Sequence, residues 1–279
     1  MLKRISMLWA VSLVFCLSLA AQQSQPQPLT LWYDYTVQPG QEDDFMTLVK
    51  TVGAPVRDKL MAEGVVQAWG IEVPLLRGPG QPTHTIWVSV NDWAGVGKVQ
   101  SAMADQLAKL AAEEAKAGKK PAMTTAQRAR EVFDATKTRD WLTRDLVSGY
   151  ASKMPKDALP YARYSFTKVK PGKGAEYRKI WEKYNKPVLD KLVADGVILA
   201  WGLGVEEVRT EGSFTHFTWI AAAEMGDWDK LRAAFVADRD RRSEEERSAI
   251  SEAFNDVTDA DASRQLATRS IIFRVPAPK

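Results

Sequence analysis

The chain has 279 residues, 45% of them hydrophobic and 26% charged, which suits one large folded domain or two small ones and excludes an intrinsically disordered protein. Setting aside Lys3 and Arg4 with the leader described next takes the formal charge from +3 to +1, so composition gives no case for a nucleic acid or an anionic membrane as partner. The one cysteine, Cys16, also lies in that leader, so disulfides, thiolate catalysis and cysteine-held metals are excluded from the rest of the chain.

Lys3 and Arg4 precede the apolar run Met7 to Leu19, and Ser18-Leu19-Ala20 offers small residues for a cleavage site. Residues 1–20 are therefore expected to be a secretory signal peptide, giving an exported protein, periplasmic or extracellular. The run is shorter than the roughly 20 apolar residues of a bilayer span, and no later segment is expected to cross a membrane. Residues 21–28, rich in Gln and Pro, form a linker.

From Leu29 to Val37 the chain is aromatic and β-branched up to Pro39-Gly40, which predicts a strand closed by a turn. Phe45, Leu48, Val49, Val52, Val56 and Leu60 then recur at helical spacing, with Pro55 expected to kink the helix and Gly64 to end it. Strands are predicted at Val65 to Val73 and Thr83 to Val90. Asp92 can cap a second helix with Trp93, Val96, Val99, Met103, Leu107 and Leu110 on one face, interrupted at Gly118-Lys119-Lys120-Pro121. Thr124 with Gln127 reads as a capping box that restarts a helix through about Thr136, and Leu142 to Tyr150 completes the unit as a strand.

The order strand, helix, strand, strand, helix, strand is ferredoxin-like, and the chain writes it twice. Between Val37–Val90 and Val169–Ala222, 20 of 54 ungapped pairs are identical, too many for chance, at a constant shift of 132 residues. Ser243 with Glu246 repeats the capping box, and Arg264-x-x-x-Thr268-Arg269 repeats Arg139-x-x-x-Thr143-Arg144. The boundaries that follow are repeat 1 at 29–151, a linker at 152–160 and repeat 2 at 161–279.

A four-stranded sheet with helices on one side leaves its other face open, and both faces of these strands read as apolar. The expected fold class is therefore α+β: two tandem ferredoxin-like repeats packed sheet to sheet within one chain. In its Val-x-Pro-Gly turns, the Gly64 and Gly196 helix ends and the Trp69 and Trp201 strands, the sequence resembles the dimeric α+β barrel superfamily over nearly its whole length after the leader. That superfamily includes cofactor-independent monooxygenases, heme-degrading and heme-using enzymes and small-molecule isomerases, so the resemblance implies a fold and not a reaction.

Candidate ligand-binding residues are few. His84 and His216, the only histidines, sit at equivalent positions and can act as bases or ligands, or satisfy a hydrogen bond at a strand start. No His, Cys, Asp or Glu cluster with ligand spacing surrounds them, so no metal or other cofactor is expected. Trp69, Trp87, Trp201 and Trp219 can stack on a flat ligand, but their duplication suits a core role. Arg144 and Arg269 can hold an anion at a strand start or pair with a carboxylate. The functional expectation is an exported protein that binds a small apolar or aromatic molecule or serves as a scaffold. A cofactor-independent monooxygenase-like enzyme is the alternative, with its pocket between a sheet and its helices, and heme binding comes third. Because the repeats satisfy one another, a monomeric pseudo-dimer is expected in place of an obligate oligomer.

Overall fold

The computed structural model describes residues 27–78, 80–116, 124–152, 159–208 and 214–275. The expected signal peptide, most of the two linkers and the Gly118 to Pro121 interruption lie outside them.

Eight strands form one closed antiparallel barrel: β1 (Leu29–Tyr35), β2 (Val66–Pro74), β3 (His84–Val90), β4 (Arg139–Tyr150), β5 (Tyr161–Val169), β6 (Ala200–Val208), β7 (His216–Ala222) and β8 (Thr258–Arg274). The first half orders its strands β4-β1-β3-β2 and the second β8-β5-β7-β6. The halves join edge to edge, β2 to β8 and β4 to β6, each by a hydrogen-bonded ladder whose register shifts beside Glu72 and beside Asp145. Sheet-to-sheet packing is thus corrected in one respect: the open faces do meet, but as the lining of a barrel whose edges are hydrogen-bonded. Free edges cost unpaired backbone groups, and closure removes them.

Eight α-helices among the described residues cover the outside: α1 (Glu42–Leu48), α2 (Ala54–Ala62), α3 (Trp93–Lys116), α4 (Thr125–Val132), α5 (Gly174–Tyr184), α6 (Lys186–Ala194), α7 (Asp227–Asp240) and α8 (Glu244–Val257). Pro55 does not kink a continuous helix. A π-helical turn at Val49–Gly53 separates α1 from α2, and Pro55 falls in the first turn of α2, where its missing N–H costs nothing. Gly64 and Gly196 end α2 and α6 at φ +75° and +72°, the left-handed conformation that favours glycine. Asp92 Oδ1 accepts from Gly95 N at 2.8 Å, and both capping boxes are formed. Leu107 and Trp93, expected on the buried face of α3, are exposed, while Val96 and Val99 carry its packing. Helix α4 stops at Val132, before the expected Thr136, because Asp134 caps a 3-10 turn there.

Strand alternation assigns the faces. Leu29, Leu31, Trp69, Ile71, Val88 and Val90 meet the first helix layer, and Trp201, Leu203 and Ile220 meet the second. Inside the barrel Trp32 stacks on Trp141 at 4.8 Å, with Tyr164, Phe166, Phe214 and Phe217 around them. This inner face is not wholly apolar: Asp34, Glu72, Asp145, Thr143 and Thr268 share it.

The indoles of Trp87 and Trp219 lie flat over glycines of the neighbouring strand. A Cβ on Gly70 would come within 2.8 Å of the Trp87 ring and of the Ile272 carbonyl, and one on Gly202 would be closer still to Trp219. Gly70→Ala and Gly202→Ala are each expected to cost about 1–3 kcal/mol by overpacking, read as a lower urea midpoint with unchanged slope.

Candidate functional site

The two histidines do not meet. His84 is buried at the start of β3 against Phe45 of α1 (4.7 Å between ring centres), and His216 at the start of β7 against Tyr177 of α5 (5.1 Å). His84 Nδ1 lies 3.0 Å from Thr83 Oγ1. That hydroxyl already donates to the Tyr35 carbonyl and accepts from Val37 N, so the Nδ1 proton of the ring is assigned as the donor. Thr215 repeats the arrangement, accepting from Val169 N at 2.9 Å with His216 Nδ1 at the same distance. Each Thr-His pair therefore ties the end of one strand to its neighbour, a role both halves need. No cluster of potential metal ligands occurs among the described residues.

Burial pushes His84 down to about 4, helped by Arg77 and opposed by Glu42. A depressed group contributes stability that is present above its unfolded value, 6.5, and lost as pH falls towards 4. His84→Gln is expected to flatten that acid-side loss, seen in urea midpoints measured across this window.

The tryptophans divide between the two faces. Trp69 is core, donating to Asp58 Oδ1 at 2.9 Å with the Arg57 guanidinium 5.5 Å from its ring. Trp201 is core as well, against Trp181 at 5.5 Å. Trp87 and Trp219 instead face into the barrel and wall the same chamber. Arg144 spends its guanidinium on Glu207 across the β4–β6 ladder, donating from Nε at 2.8 Å and Nη2 at 2.5 Å. Arg269 is exposed on β8.

Two spaces stand out. The larger, about 720 Å³, lies outside the barrel in the second half, between the outer faces of β5 and β7 and helices α5, α7 and α8. Its floor is Ser165, Thr167, Thr218 and Ile220; its walls include Tyr177, Trp181, Phe235 and Phe254; Arg163, Arg232 and Arg239 add positive charge. Shifting by 132 residues shows why it exists. Ser165, Thr167 and Leu189 stand where the first half has Tyr33, Tyr35 and Arg57. Those two tyrosines pack against the first-half core, and Arg57 is buried over Trp69. Removing two aromatic rings from the sheet leaves a room of ordinary ligand-site size.

The second space is the chamber of about 170 Å³ inside the barrel, lined by Trp87, Trp219, Glu72, Asp145 and Ser270 among others. Glu72 accepts from Tyr164 OH at 2.9 and 3.0 Å and from Thr268 Oγ1 at 2.6 Å. Burial raises its carboxyl above the usual range, opposed by these hydroxyls and, more weakly, by the Trp87 indole, whose Nε1 stays outside hydrogen-bond geometry. Asp145 accepts from Trp219 Nε1 at 3.1 Å, and burial raises it to about 7. A raised carboxyl favours folding below its unfolded value of 3.8 and loses that contribution as pH rises towards 7, so Asp145→Asn is expected to flatten the neutral-side decline in the urea midpoint.

Neither buried carboxyl was among the candidates expected from sequence. The available signal was parity: Glu72 shares its strand face with Ala68 and Gly70, and Asp145 its face with Trp141 and Thr143.

No protein-family model matches the sequence, and no curated protein matches it. Among solved structures the chain is similar to a proposed monooxygenase from Fusobacterium nucleatum subsp. nucleatum (TM-score 0.58, 13% identity, 89% of this chain and 94% of that one covered). It is similar to a second proposed monooxygenase, from Lactobacillus acidophilus (TM-score 0.55, 9% identity, 89% and 96% covered). A heme-binding protein from Thermus thermophilus also matches (TM-score 0.50, 7% identity, 88% and 92% covered). Likeness at these identities shows the fold alone: the chain is an α+β barrel of the ferredoxin-like type, like these proteins, closed within one polypeptide.

Proposed function

We propose that the protein is an exported binding protein, a monomer of two tandem ferredoxin-like repeats, which takes a small aromatic molecule bearing negative charge into the outer cavity of its second half. The observation that carries this reading is the replacement of Tyr33 and Tyr35 by Ser165 and Thr167, which turns a packed sheet face into an aromatic-walled room with Arg163, Arg232 and Arg239 about it. Flat apolar walls provide the burial, hydroxyls on the floor orient polar substituents, and the guanidiniums favour an anion. The leader at residues 1–20 supports export.

A monooxygenase-type reaction is the second reading, favoured by the two proposed monooxygenases that share the fold and by His216, which abuts the cavity wall through Tyr177. A base acting through Tyr177 would have to draw a proton across that ring, so binding is the better supported role. Heme fits less well: among the described residues no histidine, cysteine or methionine lines the cavity, and burial pushes the Tyr177 hydroxyl up and keeps it protonated.

The test restores the first-half filling. The double variant Ser165→Tyr, Thr167→Tyr is expected to fold and to lose most binding of anilinonaphthalene sulfonate, an anionic aromatic dye, while Arg232→Gln with Arg239→Gln weakens it by about five- to tenfold. Undiminished dye binding by the double tyrosine variant would remove the cavity from consideration. Oxygen uptake with hydroxylated bicyclic aromatics, lost in the same variant, would select the enzymatic reading.

A further inference from the structure

We propose that the chamber inside the barrel is a second binding site, for a small alkylammonium ion held between the Trp87 and Trp219 indoles with the Asp145 carboxylate and the Ser270 hydroxyl as its polar contacts. This site is separate from the outer cavity and has the opposite charge preference.

The first support is an imbalance of charge. Among the described residues, the carboxyl groups on the barrel's inner face are treated differently: Glu206 has the Arg139 guanidinium at 3.5 Å. Asp34 accepts from Thr85 Oγ1 at 2.7 Å and Trp141 Nε1 at 3.0 Å, and the guanidiniums of Arg139 and Arg264 act on it. Glu72 and Asp145, towards the other end, line a chamber whose walls, among the described residues, contain no lysine, arginine or histidine. A buried carboxylate without a cation is costly, so such a group stays protonated or takes its cation from outside.

Aromatic geometry supplies the second. Trp87 and Trp219 are pseudo-symmetric, each laid over a glycine, and Tyr150 flanks Trp219 at 6.0 Å between ring centres while Phe273 flanks Trp87 at 5.8 Å. Aromatic faces around a carboxylate make a cage for an organic cation, because ring quadrupoles attract positive charge without the hydration that a metal ion demands. A room of about 170 Å³ has space for one such group, given that a cavity of about 150 Å³ takes benzene.

An unused polar group is the third. Ser270 is 1% exposed, and its hydroxyl lacks a hydrogen-bond partner although it lines the chamber opposite Glu72. Buried hydroxyls are ordinarily satisfied, so this one points to an absent occupant. Exposed Tyr150 and Val275 also line the chamber and give it a route to solvent.

The titratable groups facing Asp145 are Glu72 of β2, Tyr150 of its own strand and Tyr164 of β5. A carboxyl and two phenols carry no positive charge at any pH, and the pKa of Glu72 and Tyr164 is raised by burial, so these two stay neutral. With Asp145 near 7, cation binding is expected to strengthen as pH rises through neutrality.

The experiment is calorimetric titration of the full chain with choline chloride and, separately, with its neutral tert-butyl isostere, dimethylbutanol. Choline is expected to bind roughly tenfold tighter than the isostere or better. Asp145→Asn should bring choline to the level of the isostere without changing the latter, and Ser270→Val, which puts two methyl groups into the chamber, should abolish both. Equal or tighter binding of the isostere would overturn the proposal, as would no choline binding at all or choline binding that survives Ser270→Val. If Asp145→Asn does not fold, the choice between charged and neutral probe in the native chain together with Ser270→Val still decides. The double tyrosine substitution in the outer cavity should leave choline binding unchanged, so this site and the outer one can fail independently.

Discussion

Two ladders hold this molecule in its form: β2 against β8 and β4 against β6. Each joins a strand of one half to a strand of the other, and without them both sheets would end in unpaired backbone and present a mixed aromatic and acidic face to water. Closing the ring makes that face an interior. It also sets which groups become neighbours, because Glu72 falls opposite Ser270 at one ladder and Asp145 opposite Gly204 at the other. The acidic residue is carried by β2 at the first junction and by β4 at the second, so the pseudo-symmetric scaffold has an asymmetric arrangement of charge.

The same logic runs through the outer layers. Where both halves need an element for packing or strand registration, the sequence keeps it, as in the Thr-His pairs, the glycines under the indoles and the capping boxes. Where the halves differ, space or charge appears. Tyr33 and Tyr35 fill the first sheet-helix layer, and Ser165 and Thr167 leave the second open. Setting the two halves side by side thus separates what the fold requires from what differs between them, and the differences are the informative part for function.

Much of the architecture was legible from the chain, because periodicity, turn glycines and capping boxes are local signals. The strand and helix order, the ends of α2 and α6 and both boxes follow directly from neighbouring residues. The edge-to-edge joining of the halves does not, since it pairs residues on strands that no local rule relates. Among the candidates, the prominence of His84 and His216 came from rarity, and their burial against Phe45 and Tyr177 with Nδ1 on a threonine hydroxyl assigns them to strand registration. Trp87 and Trp219 were named with Trp69 and Trp201, and only the alternation of faces separates chamber walls from core. Glu72 and Asp145 escaped because an acidic residue in a strand reads as solvent-facing until the sheet is known to close over it.

Closure also has a consequence in time. Thr268 donates to Glu72 across 196 positions of sequence, and every residue of the β2–β8 ladder waits for the last strand. Contacts of such long range form late. During synthesis the first half therefore emerges with both sheet edges bare, and the β2 edge gains its partner only when nearly the whole chain is free. The barrel thus cannot seal before its final strand arrives, and until then its aromatic and acidic lining stays open to water.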